Sequence, residues 1–338
     1  MSSRMLMDVA APAVSGVVLR GFQGESDYAH IMTVINGSKG ADGVEEFETL
    51  DEIRNQYEHL ANCDPYRDVV IAEVDGQVVG YGRAFWKQLH AGGRVYFHFG
   101  YLLPVWRRRG IGSAMLLHCE RRLLEVAAAH PNDGPRWFQS FAMEGEWSKC
   151  HLLERHGYEV ARLFYLMSRP DLENIPDAPL PAGLEVRPLK VEHLRTIWDA
   201  MTEAFADHWG EEIPTEADFQ RLIGSVEYAP DIWKVAWDIE TDQVAGGVLG
   251  FIDEADNAVT GRKLGWTENI AVRRPWRRRG LARALMAENL RELKARGMTE
   301  AALGVDTENL SGALRVYESM GFRPVKTERL YRKPMAIR

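Results

Sequence analysis

The sequence predicts an α/β fold built twice, each copy a sheet flanked by helices. Three observations carry this expectation. The segment VWRRRGIGSAMLLHCERRL starting at Val105 recurs as PWRRRGLARALMAENLREL starting at Pro275, an offset of 170 residues. Strand-like and helix-like patterns alternate in each copy in the order β-α-α-β-β-β-α-β-α-β. The chain has 338 residues, and single cores rarely grow past about 250–300 residues before dividing.

The repeat extends in both directions. Upstream, VVLRGFQGESDYAHIMTVI around Arg20 parallels LEVRPLKVEHLRTIWDAM around Arg187. DGQVVGYGRAFW at Asp75 parallels TDQVAGGVLGFI at Thr241. Downstream, LLERHGYEVARLFYL parallels VYESMGFRPVKTERLY. A period this long describes duplicated domains rather than a solenoid. Ser168 to Gly183 holds four prolines and no apolar periodicity, the composition of a semi-rigid spacer. The expected organisation is a loose tail at residues 1–14, a first domain at 15–170, a linker at 171–181 and a second domain at 182–338.

The elements are clearest in the second copy. Leu184–Arg187 reads as a short strand, and a helix follows over Val191–Phe205. Trp233–Asp238 and Val244–Phe251 form a hairpin pair around the turn residues Glu240–Asp242. Asn269–Val272 is a strand that stops before Pro275. Ala282, Met286, Leu290 and Leu293 keep helical spacing over Leu281–Arg296, and Gly297 ends that helix. Ala301–Val305 is the next strand. Ser311–Met320 is a helix with Ala313, Val316, Tyr317 and Met320 on one face and Gly321 as its left-handed cap. A last strand runs over Arg329–Pro334.

Composition excludes several classes. The chain is 46% hydrophobic and 27% charged, as in soluble globular proteins. No apolar run approaches the ~18–20 residues of a membrane span. Asp8 interrupts the short apolar stretch near the start, so no signal peptide is expected, and a cytoplasmic protein is. A net charge of −8 argues against general nucleic-acid binding, which needs a broad basic surface. Cys63, Cys119 and Cys150 form no CxxC pair or zinc-ligand spacing, so no metal is expected. HExxH and GxSxG are absent.

The repeated arginine-glycine turn is an anion site by its chemistry. A helix start leaves backbone N–H groups without partners and carries partial positive charge. Gly280 and Ala282 are small enough for a ligand to approach the backbone, and Arg277, Arg278 and Arg279 add charge for phosphates. Arg107, Arg108, Arg109, Gly110 and Gly112 offer the same arrangement. A solvated basic helix start is the plain alternative for one copy taken alone.

In these residues the chain resembles the GNAT superfamily of N-acetyltransferases. The turn R-x-x-G-x-G/A is that superfamily's acetyl-CoA signature, carried here as Arg107, Gly110 and Gly112 and again as Arg277, Gly280 and Ala282. The second copy adds N-x-x-x-A-x-x-x-Y-x-x-x-G-F as Asn309, Ala313, Tyr317, Gly321 and Phe322. The resemblance covers nearly the whole chain in two copies. It implies a central mixed, mostly antiparallel sheet in each domain. It also implies an acetyl-CoA co-substrate and direct attack of a primary amine on the thioester.

Residue roles follow from the resemblance. Tyr317 matches the general acid for the CoA thiolate, and Asn309 helps to hold the pantetheine arm. Backbone groups of Ile270, Ala271 and Val272 face the pantetheine, with the Val272 N–H polarising the thioester carbonyl. Leu281 and Ala282 complete the second cofactor turn, and Leu102 precedes the first. Glu268 is the candidate general base, with an exposed strand carboxylate as the plain alternative and Asp306 and Glu308 as weaker choices.

The first copy departs from the pattern. Leu153 stands where Tyr317 does, Gly145 replaces Asn309, and His98 falls opposite Glu268. A leucine cannot donate a proton, so this domain is expected to be catalytically degenerate. His98 is a structural residue or an alternative base. The loop Ala204–Pro230 holds Asp207, Glu211, Glu212 and Asp218 beside His208 and Trp209. It suits a cationic acceptor or is simply solvated.

The expected activity is acetyl-CoA-dependent acetylation of a small-molecule amine by the second domain. A CoA-binding sensor and a protein N-terminal or lysine acetyltransferase are the alternatives. The expected assembly is a monomer acting as an internal pseudo-dimer, or a homodimer.

Overall fold

The computed structural model describes residues 15–309 and 312–336. The expected tail at 1–14 lies outside them. Two compact units emerge: residues 1–161 with 329–338, and residues 162–328. The first unit therefore includes the end of the chain. The division falls at Ala161/Arg162, ahead of the proline-rich segment.

In the first unit, strands and helices run as β1 (Val17–Arg20), α1 (Tyr28–Ala41), α2 (Leu50–Glu58), α3 (Pro65–Asp68), β2 (Val69–Val74), β3 (Gln77–Gln88), β4 (Arg94–Leu102), α4 (Ile111–Ala128), β5 (Arg136–Met143), α5 (Trp147–Arg155) and the start of β6 (Glu159–Arg169). The pairs β1–β2, β2–β3 and β3–β4 are antiparallel, and β4–β5 is parallel. Beyond β5 lies the residue 329–334 portion of the final strand, where Met335 donates its N–H to the Arg136 carbonyl. Alternation along β2 builds two cores. Val70, Ala72 and Val74 face a cluster with Ile111, Leu116 and Leu123 of α4. Val69 and Ile71 face Ile31, Val34 and Ile35 of α1 and Ile53 of α2. The strand is buried on both faces, so it reads as an unbroken apolar run.

The second unit runs from Arg162 in β6 through β7 (Leu184–Val186), α6 (Leu194–Phe205), α7 (Glu216–Ile223), β8 (Lys234–Asp238), β9 (Val244–Val248), α8 (Glu254–Thr260), β10 (Leu264–Trp266), β11 (Ala271–Val272), α9 (Leu281–Ala295), β12 (Glu300–Asp306), α10 (Ala313–Ser319) and into β13 (Arg323–Pro334). An antiparallel sheet is ordered β11-β9-β8-β7. β12 pairs parallel with β10 and antiparallel with Ala161-following residues of β6, as Leu303 opposite Met167. Again two cores form, one under α9 and one under α6. The expected mixed, mostly antiparallel α/β architecture is present in each unit.

Three features differ from the sequence expectation. Residues 171–181 do not form a free linker. Leu172 is buried under α9, with Ile175, Ala178 and Leu180 packed on the same core. Glu173 pairs with Lys294 of α9 at 2.7 Å. Apolar residues spaced irregularly among prolines make a packed strap that periodicity does not reveal. α8 and β10 were also unforeseen. α8 is only seven residues with no apolar face, but Asp253 caps it through the Asp256 N–H at 2.9 Å and Gly261 ends it at φ 70°. That Asp-x-x-Asp…Gly pattern was the available signal. The expected Ser311–Met320 helix is described from Ala313, since residue 311 lies outside the described set, and Gly321 caps it at φ 90°.

Candidate active site

The two arginine-glycine turns are built alike. Arg108 and Gly110 take φ values of 62° and 85°, and Arg278 and Gly280 take 60° and 86°. Left-handed residues alternating with extended or helical ones curl successive N–H groups to one side, which makes an anion-binding concavity. Each turn runs into a long helix with no side-chain cap, so the first-turn N–H groups stay available. Both turns thus fit a pyrophosphate-bearing co-substrate.

The first arginine of each turn is an internal fastener rather than a phosphate ligand. Arg107 Nε donates to the Leu102 carbonyl at 3.1 Å, and its two Nη groups donate to Asp42 at 2.6 and 2.8 Å. Arg277 Nε donates to the Val272 carbonyl at 2.8 Å, and Nη1 donates to Asp207 at 2.9 Å. This corrects the expectation that all three arginines supply charge to the ligand. Asp207 also pairs with Arg274, and these hydrogen bonds hold its carboxyl well below the usual range. It belongs to the turn's scaffold, not to an acceptor pocket. Arg108, Arg109, Arg278 and Arg279 are exposed, although Arg109 stacks 5.0 Å from the Trp106 ring and Arg279 reaches the Ala182 carbonyl at 2.8 Å. Leu281 is buried in the core, so its contribution to the turn is its backbone.

The strand feeding each turn separates the units. β4 pairs with β3 along its whole length. At the same repeat positions the second unit has β10, then an interruption, then β11. β10 pairs with β12, whereas β11 pairs with β9. Between them Asn269 takes a left-handed φ of 49°. The Glu268 carbonyl accepts from the Leu249 N–H at 3.0 Å, and the Thr267 N–H donates to Ala302 at 2.8 Å. The strand therefore changes partner at residues 267–269, and a splay opens there. Arg273 donates to the Ala245 carbonyl at 2.9 Å. Antiparallel alternation then turns the N–H groups of Ile270 and Val272 away from β9. Ala271, opposite Gly247, is turned the other way, so its backbone is used by the ladder and does not face the splay as expected.

Glu268 sits in this interruption, and its charge reaches Tyr317 of α10. Glu268 Oε1 accepts the Gly304 N–H of β12 at 2.6 Å. Burial, with a smaller push from the Glu227 charge, raises its carboxyl to about 7 despite that hydrogen bond. Tyr317 is buried on α10 within the α9 core. Burial and then the nearby Glu268 charge raise its phenol above the ordinary value, so it stays protonated at neutral pH. Asp306 and Glu308 are engaged by Arg162, at 2.8 and 2.7 Å, which removes them as free bases. Asn309 begins the turn between β12 and α10, with its carbonyl accepting the Gly312 N–H at 3.3 Å. Glu211, pushed up to about 7 by burial and by Glu212, is a further titratable group of the acceptor-side loop. Asp218 instead completes the capping box of α7, its carboxylate accepting the N–H of the N-cap Thr215 at 2.7 Å.

The first unit holds a cavity of about 300 Å³ lined by its turn and by His98, Phe99, Ser140, Lys149 and Leu153. β4 and β5 stop pairing after Phe97 and Gln139, so the cavity sits where those strands part. Its chemistry is different. Leu153 is buried in the core. Gly145, at φ 109°, leaves no room for a side chain because a Cβ there would overlap the Asp42 carbonyl oxygen. His98 Nε2 lies 2.5 Å from Tyr158 Oη, which donates to Glu120 at 2.9 Å, and Lys333 pairs with Glu120 at 2.7 Å. Burial, with Lys149, Lys333 and His156 nearby, lowers the His98 imidazole to about 3. That makes it a poor base and leaves the structural reading of His98.

Among the described residues no group of His, Cys, Asp and Glu is arranged to hold a metal, and no helix is long and apolar enough to cross a membrane.

Residues 38–131 and 195–322 match the model of the acetyltransferase (GNAT) family. The chain is 28% identical over 302 residues to a mycothiol acetyltransferase of Geodermatophilus obscurus, covering 87% of this chain and 90% of that one. A mycothiol acetyltransferase of Nocardiopsis dassonvillei is 26% identical, with 90% and 92% covered. A crystal structure of a GCN5-related N-acetyltransferase from Sphaerobacter thermophilus superposes with a TM-score of 0.70 at 25% identity, covering 96% of this chain and 98% of that one. A tandem GNAT protein from the clavulanic acid biosynthesis pathway shares the fold at a TM-score of 0.65 and 13% identity, covering 95% and 99%. Two family matches on one chain, each containing an arginine-glycine turn of the same geometry, make this protein a tandem member of the acetyltransferase (GNAT) family.

Proposed function

We propose that the second unit transfers an acetyl group from acetyl-CoA directly to a primary amine of a small molecule. The supporting observation is that Glu268, at the break between β10 and β11 and bonded to the Gly304 N–H, is near enough to Tyr317 for its charge to be felt there, the carboxyl being raised to about 7 and the phenol kept protonated. Bound acetyl-CoA would supply an electrophilic thioester, held by the turn Arg278–Ala282, the outward N–H groups of Ile270 and Val272, and Asn309. Glu268, once ionised, takes a proton from the ammonium group so that the neutral amine can attack. The Val272 N–H stabilises negative charge on the carbonyl oxygen during attack. Tyr317 donates its proton to the departing thiolate, the proton that the nitrogen sheds as the amide forms returns to the phenolate, and the proton held by Glu268 is released to solvent. One amide bond forms, one thioester bond breaks, and no acyl-enzyme is needed.

The first unit, with Leu153 in place of the acid and a neutral His98 in place of the base, keeps the cofactor turn without the proton-transfer groups. It binds the CoA-type ligand without turnover in this reading. The mycothiol acetyltransferase relatives make an amine related to mycothiol the first acceptor to try. The test is a panel of amines incubated with acetyl-CoA, read as acetylated product by mass spectrometry for the wild type and Tyr317→Phe. Product from a small amine, lost in Tyr317→Phe with CoA binding kept, supports the reading. CoA binding without product from any amine would favour a binding module, and product only from peptides would move the acceptor to proteins.

A further inference from the structure

We propose that the first unit carries a binding site for a small monoanionic carboxylate with an apolar or aromatic body, built around Arg83. Arg83 lies on β3, opposite Phe99 of β4 and Val69 of β2. Its Nε and Nη1 are buried and have no hydrogen-bond partner. Among the described residues no carboxylate forms an ion pair with it. Glu48 contributes only a distant charge, its carboxylate lying 3.6 Å from Lys39 and 3.0 Å from Gln56. Instead the guanidinium faces aromatic rings, with Cζ 4.9 Å from the Phe99 centroid, 5.7 Å from Tyr57 and 6.0 Å from Phe85.

Ring faces compensate a buried cation only in part, and two donor nitrogens without acceptors are costly in a low-dielectric setting. The fold does not require this arrangement. At the equivalent repeat position the second unit has Leu249, buried in an apolar core. A leucine thus satisfies the same strand in the sister copy, and the arginine calls for a separate reason. The residue as a whole is only half-buried. Phe99, which packs on Arg83, also lines the 300 Å³ cavity of this unit.

The chemistry selects the ligand. One uncompensated cation balances one negative charge. Unsatisfied N–H donors in an apolar box suit a carboxylate, whose remaining surface is covered by Phe99, Phe85 and Tyr57. A phosphate carries more charge and needs more donors than this box offers. Lys149 lies 4.6 Å from the Phe141 centroid and is paired with Glu146, and Lys39 is paired with Glu46 and Glu48, so neither supplies a second charge.

The site is independent of acetyl transfer by the second unit, and binding of simple probes to the full-length chain tests it. Calorimetric titrations would compare 3-phenylpropionate, its neutral amide and inorganic phosphate. The carboxylate is expected to bind about ten- to a hundredfold tighter than the amide, and phosphate weakly. Arg83→Leu, copying Leu249, is expected to remove that preference while raising the melting temperature of the ligand-free protein. Equal binding of carboxylate and amide by the wild type would overturn the proposal, as would phosphate binding as tightly as the carboxylate. An unchanged carboxylate preference in Arg83→Leu would do the same. If that variant does not fold, the wild-type comparison of carboxylate with amide decides alone, because it needs no substitution.

Discussion

β4 and the pair β10–β11 are the same strand of the repeat in two states. In the first unit it is continuous and bears Phe99, a bulky residue packed among Tyr81, Phe85, Tyr101 and Phe141. In the second unit the matching residue is Asn269, which tolerates the left-handed conformation it adopts. One residue thus accompanies a change of hydrogen-bond partner. With the change, Glu268 accepts the Gly304 N–H of β12. The cofactor turns, by contrast, are nearly superimposable in their dihedral angles and in the bonds of Arg107 and Arg277. Both units keep the anion cradle and differ at the positions of Glu268 and Tyr317, where the first unit has His98 and Leu153.

The largest test of this contrast is Tyr317→Phe, expected to lower turnover by about 10²- to 10⁴-fold with CoA affinity kept. Leu153→Tyr added to that variant is expected to restore nothing, since the first unit lacks a competent base. Measured recovery would show the first unit to be one residue from activity.

Next is the pH profile. In the proposed mechanism Glu268 must be ionised to act as base, so the rate at saturating substrate is expected to rise with pH through about 7. Glu268→Gln should cut the rate about a hundredfold and flatten that limb. A limb that survives in the variant would assign it to another group, Glu211 being the first to examine.

Buried His98 predicts a stability difference. Its folded value, about 3, lies below the ordinary ~6.5 of an unfolded chain. The unfolded state therefore takes up a proton first as pH falls. Stability from this residue is full above ~6.5 and declines toward pH 3 by up to about 1.4 kcal/mol per pH unit. Denaturant titrations of the wild type and His98→Gln should show the shallower pH dependence in the variant.

Asn269→Phe would place an aromatic residue in the left-handed region, at a cost of about 1–2 kcal/mol. We expect a lower melting temperature and a loss of activity greater than the loss of CoA binding. The smallest effects are expected from Arg278→Ala and Arg279→Ala. Both side chains are exposed, so each should weaken CoA binding severalfold, about 1 kcal/mol, more at low salt than at high salt. Arg277→Ala should instead lower stability, because it unties the turn from Val272 and Asp207.

The sequence by itself determined the duplication, the α/β class, both cofactor turns and the Glu268 and Tyr317 positions. Those features are written locally, as identical tripeptides, apolar spacing and glycine caps that repeat at a long offset. Tertiary structure alone decided what those residues touch. It put Arg107 and Arg277 on aspartates 65–70 residues away and packed the proline-rich strap under α9. It also placed the final strand's end in the first unit and left Nε and Nη1 of Arg83 buried without a partner. Each of these depends on which distant groups share a low-dielectric space, and no local pattern along a chain encodes that.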